Sequence, residues 1–462
     1  MTKKVRISAL IAVTFDSELG QSIESIYPPL NLTQQERSNL CYLSFPDSNS
    51  ACFGDTKYFF RIRRISEDVE TVDREDEDRG HFWGFVHFRQ RKDEDSPRGY
   101  FQKSFVILTR YPFVKFFQDR ITENAEKYFQ QPTEENLADI YEEINNIEVN
   151  HPYENPPSEE FYKFLSHQDI LPHVNLIWEL VLCGENLIIV GNSPSATAEV
   201  VTGLIEVIQP LEYAGEYRPY FTIHDSEFKE FSTSTGRNPQ ILGITNPFLV
   251  KVFENSTFLF LNPPSIKTKI TPFTKTDKNL IKKINAGQKN HRPLPVQSLI
   301  HRKYFEELTK SFLYPLERYA GSLLPLQKQI SPFKAPPAIS SFDETEFIRN
   351  LANSGPELTS SVRGKWKELY KGFFGTGNFC RWFTGRRKFL EEKLKAVQLE
   401  ALADLDASKW SCGKTEVEIV DLILRLRGIL QEVGSTAERG KLEKKLEEVR
   451  DLVEDEELRG LL

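Results

Sequence analysis

The feature that most constrains this chain is a change in its hydrophobic pattern near residue 170. Beyond that point four short apolar runs follow one another: Leu187–Val190, Tyr220–Ile223, Ile241–Ile244 and Phe258–Leu261. The stretches between them read as helices. Ser193-Pro194 pairs a capping hydroxyl with a first-turn proline, Asp225 can cap a short helix through Phe231, and Asn246-Pro247 opens another. Strands that alternate with helices must return to the same sheet by crossovers. Residues 170–265 therefore predict a mainly parallel sheet with helices packed on it.

Before residue 130 the pattern is different. Val5, Ile7, Ala9, Ile11 and Val13 alternate, which predicts a buried first strand. The same stretch imitates a secretion signal, but its apolar run is only about seven residues long and leads straight into Thr14-Phe15-Asp16-Ser17-Glu18. Further strands are predicted at Tyr58–Arg63, Phe82–Phe88 and Tyr100–Leu108, with a capping box at Thr33 and Glu36 and a helix over Phe113–Phe129. Consecutive strands with few helices predict an antiparallel α+β module over 1–130. The run Glu67–Asp78 holds eight acids and reads as a solvated loop. Residues 131–165, with Pro132, Pro152, Pro156, Pro157 and many carboxylates, read as a linker. An α/β module is then expected over 166–295, an all-helical one over 296–435, and a charged C-terminal helix over 436–462.

Charge and composition narrow the function classes. The net charge is −8, from 59 Lys+Arg against 67 Asp+Glu, which counts against wholesale nucleic-acid binding. Five cysteines without a CxxC pair give neither a disulfide framework nor a zinc site, and they fit a reducing, cytoplasmic compartment. No stretch approaches the roughly 20 apolar residues that span a bilayer, so a soluble chain with at most peripheral membrane contact is expected. Neither GxSxG nor HExxH is present. Gly413-Lys414-Thr415 resembles the end of a phosphate-binding loop, but Ser408 stands where its first glycine must be. His224-Asp225 resembles half of a metal pair, although no other histidine is spaced to complete the shell. No cofactor or metal is implied.

Two stretches carry open alternatives. Residues 266–292 hold seven Lys and one Arg against the single acid Asp277. They read as a solvated loop, as a surface for an anionic membrane or an acidic partner, or as a minor nucleic-acid contact. Arg363 to Lys388 interleaves basic residues with Trp366, Tyr370, Phe373, Phe374, Phe379, Trp382 and Phe383. That cluster reads as a base-stacking surface or as a helical core with a basic rim.

One constellation stands apart. Ligands of a parallel sheet gather at the carboxyl ends of its strands. The segments that leave those ends here, Gly191-Asn192-Ser193, His224-Asp225-Ser226 and Thr245-Asn246-Pro247, are all polar and all open helices. They form a binding edge, or they are ordinary helix caps.

The central blocks resemble a known family. They run Leu176-Ile177-Trp178-Glu179-Leu180, then Arg218-Pro219-Tyr220-Phe221-Thr222-Ile223-His224-Asp225-Ser226-Glu227-Phe228, and Ile241-Leu242-Gly243-Ile244-Thr245-Asn246-Pro247-Phe248. Flanking blocks agree, among them Cys41-Tyr42-Leu43-Ser44-Phe45-Pro46-Asp47 upstream and Pro315-Leu316-Glu317-Arg318-Tyr319 downstream. Together, over about residues 5–435, they resemble DENN-domain proteins of the DENN domain-containing protein six subfamily. The resemblance implies a tripartite fold: an upstream longin-like module, a central α/β module and a downstream helical module. It also implies a guanine-nucleotide exchange factor that performs no covalent chemistry and binds a nucleotide-free or GDP-bound Rab-family GTPase, with peripheral association with recycling endosomes and no nucleic-acid partner. A non-catalytic scaffold that binds a Rab or a membrane is the alternative. Edge geometry and the resemblance together nominate Tyr220, His224, Asp225, Thr245 and Asn246 as partner-binding residues, with Phe228 and Phe248 as apolar anchors or core. Rivals from other classes are a small-molecule enzyme using Ser193 at a helix start and an RNA-binding protein using the aromatic helical region.

Overall fold

The computed structural model describes residues 2–16, 18, 20–47, 54–65, 77–93, 99–150, 153–233, 240–326, 338–351, 362–432, 437–453, 455 and 459. The chain divides into two compact units: residues 1–311 with 353–379, and residues 312–352 with 380–462.

The first unit opens with β1 (Thr2–Lys4), β2 (Ile7–Asp16), β3 (Gly20–Tyr27), α1 (Gln34–Leu43), β4 (Gly54–Arg63), β5 (His81–Lys92) and β6 (Tyr100–Thr109). Strands β2 to β6 form one antiparallel sheet in the order β3-β2-β6-β5-β4, in line with the strand-after-strand pattern. Both faces are covered. The two-residue period of β2 sends Leu10 and Ala12 into one apolar cluster and Ala9, Ile11 and Val13 into the other. Leu40, Cys41 and Leu43 of α1 fill the second cluster. The Thr33 hydroxyl accepts from the Glu36 backbone and the Glu36 carboxylate from Thr33, so the expected capping box starts α1.

The opposite face takes α2 (Val114–Gln130) and α3 (Glu134–Asn145). Here the expectation of a linker over 131–165 is corrected. Leu137, Ile140 and Ile144 stand at helical spacing and are buried in the same cluster as Phe117 and Ile121. Strand β7 (Glu148–Asn150) then pairs antiparallel with β1, and α4 (Glu159–Leu165) starts under a Ser158 cap. Pro132, Pro156 and Pro157 fall between these elements, not inside them, so they punctuate structure instead of preventing it, and Pro152 lies outside the described residues. Of the acidic run, 67–76 lie outside the described residues, but its end, Glu77 and Asp78, is folded inward on Arg110 and Arg61.

The unit continues with α5 (Val174–Leu182), β8 (Leu187–Val190), α6 (Pro194–Glu206), β9 (Glu216–Arg218), α7 (Phe228–Thr233), β10 (Gln240–Ile244), α8 (Leu249–Val252), β11 (Thr257–Leu261) and β12 (Pro264–Lys267). These strands form the second sheet, ordered β12-β11-β8-β10-β9 and parallel except for β12. One strand is corrected. The sheet ladder uses Glu216–Arg218, and Tyr220–Ile223 lies beyond its carboxyl end. Pro219 has no N–H for the ladder and ends the strand. The chain still meets β10 three residues further on, where Phe221 N donates to Gly243 O at 2.8 Å. Gly243 is required there, since a Cβ would stand 2.1 Å from the Pro219 carbonyl oxygen.

The basic stretch 266–292 is not a bare loop. It contains the end of β12 and α9 (Lys278–Lys289), which Asp277 caps by accepting from Asn279 N at 2.8 Å. Four helices follow: α10 (Leu294–Ser322), α11 (Glu344–Asn350), α12 (Trp366–Phe374) and α13 (Gly377–Ala403). Trp366, Tyr370, Phe373 and Phe374 of α12 are buried, so of the two readings of this aromatic cluster they serve core packing and are closed to base stacking. In the second unit Tyr319, Phe342, Phe347 and Phe383 pack edge to face. Its last elements are α14 (Ala407–Ser411), α15 (Glu416–Glu432) and α16 (Ala437–Arg450). Ile419, Leu422, Ile423 and Leu426 of α15 share one apolar cluster with Leu442 and Val449 of α16.

Candidate functional site

The three polar corners leave neighbouring strands. Those of β8 and β10 are tied by Gly191 N donating to Ile244 O at 3.0 Å. The corner after β9 runs beside β10 through the Phe221 bond to Gly243. Each corner is built as its sequence requires. Ser193 Oγ accepts from Ala196 N, Asp225 Oδ1 from Glu227 N at 2.9 Å, and Asn246 Oδ1 from Phe248 N at 3.0 Å.

Helix α1 and the segment after it cover much of this edge. Asn39 and Ser226 form a reciprocal pair: Asn39 Nδ2 donates to Ser226 Oγ at 3.0 Å and Asn39 Oδ1 accepts from Ser226 N at 2.8 Å. Asp47 N donates to the Tyr220 hydroxyl at 2.6 Å, and Asn246 Nδ2 reaches Asp47 Oδ2 at 3.5 Å. Tyr42 and His224 stack with ring centroids 4.5 Å apart. The seven nominated residues therefore separate. Tyr220 is fully buried in the apolar cluster beneath α1, edge-on to Tyr58. Asp225 and Thr245 are buried, and Phe228 is half-buried against Phe221. Asn246 is half-buried, and His224 is exposed under its stacking partner. Phe248 is 57% exposed, and Ile223, which was not nominated, is 38% exposed. Only the exposed members can meet a partner directly, and the buried ones hold the corners in place.

Behind the edge lies a group of charges that sequence reasoning missed. Arg61 Nε donates to Asp78 Oδ2 at 2.7 Å, and its guanidinium lies 4.0 Å from the centre of the Tyr217 ring. His81 bridges Asp78, at 3.2 Å, and Glu216, at 3.3 Å. Arg218, with no exposed surface, reaches Glu216 at 2.7 Å and Glu227 at 2.5 Å, while Arg63 meets Glu227 from the other side at 2.9 Å. These residues come from β4, β5 and the segment just before β5 on the antiparallel side, and from β9 and the turn before α7 on the other, so the network fastens one sheet to the other. Burial alone would raise the Asp78 and Glu216 carboxyls. The hydrogen bonds from His81 and the charges of Arg61 and Arg218 outweigh it and hold both well below the usual range. Asp225 is the opposite case. Its Oδ2 is buried without a hydrogen-bond partner, and burial pushes it up to about 6 against the pull of Arg218. The signals for the network were present but separate: two acids at the end of an acidic run, and single arginines in strands.

Among the described residues no group of three or more His, Cys, Asp or Glu is placed to hold a metal ion. No helix among them is long and apolar enough to cross a membrane.

Residues 7–213 match the family model described as transport protein Avl9, and residues 407–462 match the DENND6 C-terminal domain. Protein DENND6A of Mus musculus is 37% identical over 93% of this chain and 84% of its own length. Protein DENND6B of Homo sapiens is 35% identical over 91% and 86% respectively, and a DENND6 homolog of Dictyostelium discoideum is 27% identical over 92% and 76%. With relatives this similar along nearly the whole chain, the protein belongs to the DENND6 family of DENN-domain proteins.

Proposed function

We propose that this chain is a guanine-nucleotide exchange factor for a Rab-family small GTPase in endosomal membrane traffic, peripherally associated with recycling endosomes. We read it as a tripartite DENN protein in which the antiparallel sheet and the parallel sheet jointly present a docking edge. An exchange factor makes no covalent bond. It binds the nucleotide-free GTPase more tightly than the GDP form, and by linkage GDP is then held more weakly. Each tenfold acceleration of release requires about 1.4 kcal/mol of differential binding. A rigid surface with apolar anchors can supply that by holding the switch loops away from the nucleotide.

The observation that supports this reading is the edge itself. Phe248 and Ile223 are exposed on adjacent corners whose polar groups are hydrogen-bonded to α1 and the Asp47 segment. Exposed apolar side chains on a pre-ordered base fit a protein-docking hot spot. Fluorescent GDP release from a panel of Rabs tests it. Phe248→Asp is expected to slow release from the cognate Rab by roughly thirtyfold, the effect of losing an anchor worth about 2 kcal/mol. Unchanged release with an unchanged melting temperature overturns the edge. Rab capture by the parent protein without faster release identifies the chain as a scaffold.

A further inference from the structure

The chain carries a net charge of −8, yet residues 266–292 concentrate seven lysines and one arginine against one acid. All seven lysines are exposed. Among the described residues none of them pairs with a carboxylate, although ion pairs are frequent elsewhere in the chain. Asp277, the single acid, is occupied as the cap of α9.

Helix α9 orders this charge. At about 100° per residue, Lys278, Lys282 and Lys289 fall on one stripe about 40° wide. Leu280, Ile284 and Gly287 are buried on the opposite side. The lysine stripe therefore points directly away from the core. Four residues, Asn290 to Pro293, separate α9 from α10. In the first turns of α10, Val296 and Leu299 are 45% and 55% exposed, three residues apart on one helix face.

We propose that the lysine face of α9, together with Val296 and Leu299, is a docking surface for a bilayer that carries anionic lipids. Three observations favour a lipid surface over a folded acidic partner or a nucleic acid. The cations are lysines in a ratio of seven to one. Lysine is a mobile point charge suited to a diffuse field of headgroups, whereas fixed carboxylates and phosphates are read better by the arginine fork. Two exposed aliphatic side chains, Val296 and Leu299, follow the charged helix closely in the chain, and interfacial helices combine cations with a shallow apolar insertion. Among the described residues of this stretch no large aromatic is exposed, so the stacking that single-stranded nucleic acid requires is missing. This surface extends the peripheral membrane association proposed above, but it does not depend on nucleotide exchange.

The test is flotation of the full chain with phosphatidylcholine vesicles, with and without phosphatidylserine, alongside GDP release from soluble Rab. Binding is expected only with phosphatidylserine, and it should weaken as salt rises. The triple change Lys278→Glu, Lys282→Glu, Lys289→Glu is expected to lower partitioning by at least a hundredfold, while melting temperature and solution exchange stay at parent values. Val296→Ser with Leu299→Ser should reduce the binding that survives at high salt. Equal binding to neutral vesicles, or a triple variant that binds like the parent, overturns the proposal. So does a parent chain that ignores both vesicles but retains a polyglutamate peptide or a single-stranded oligonucleotide. Loss of exchange with lipid binding intact would count against the docking edge and leave this surface standing.

Discussion

Asp225 sits 4% exposed with one carboxylate oxygen lacking a hydrogen bond, in a pocket it shares with Arg218, Glu227 and Arg63. Its folded-state value near 6 lies above the ordinary 3.8. The folded state thus favours the protonated form. The stability it contributes is fully present below about pH 4 and is lost as pH rises through 6. At 1.36 kcal/mol per unit this is about 3 kcal/mol. Asn keeps the oxygen that accepts from Glu227 N and removes the titration. Asp225→Asn should therefore match the parent near pH 4 and exceed it by up to about 3 kcal/mol at pH 8, checked by urea unfolding across that range. Asp78 and Glu216 work with the opposite sign. Their values are depressed, so their contribution is present at neutral pH and is lost as pH falls below the ordinary carboxylate range. Single residues of the edge were legible as types but not as exposures. Tyr220 and Phe248 both belong to apolar-rich blocks near a strand end, and nothing local distinguishes the one beneath α1 from the one in solvent.

Among the elements, α3 shows best how a sequence reading loses structure. Its charged residues suggested a linker, but Leu137, Ile140 and Ile144 form a stripe that needs only one sheet face to become core. Ile140→Ala should cost about 2–5 kcal/mol, an effect no true linker would show, and a thermal melt checks it. Other elements were legible because their signals are local. The capping box at Thr33, the Ser193-Pro194 helix start and the alternation of β2 each involve residues a few positions apart, and each reappears in the structure. The misplaced strand at Tyr220–Ile223 follows the same logic in reverse. Its apolar content is real, but Pro219 and the close approach of Gly243 move the ladder upstream.

At the scale of the whole chain, the parallel sheet depends on residues far downstream of it. Trp178 Nε1 donates to Thr309 Oγ1 at 2.9 Å, the Tyr304 hydroxyl donates to Asn175 Oδ1 at 2.6 Å, and Asn378 Nδ2 donates to the carbonyls of Val181 and Leu182. Lys365 N donates to Phe273 O, and Lys275 N donates to Arg363 O, closing a segment that returns from residue 362 onward. A fragment of residues 1–295 would expose Trp178 and leave these polar groups without partners. It is expected to melt at a lower temperature than the full chain and to bind a hydrophobic dye, both measurable on the purified fragment.

The sequence by itself determined the antiparallel and parallel characters of the two sheets, most of their strands, the polar corners and the family. All of these depend on periodicity, caps and blocks of neighbouring residues, where interactions are short in chain distance. Only the tertiary structure decided which corner residues face solvent, how Arg61, Asp78, His81, Glu216 and Arg218 meet, and that α3 is core. The contacts that bring Arg61 and His81 to Glu216 join residues more than a hundred positions apart, and no local pattern encodes which of them come together.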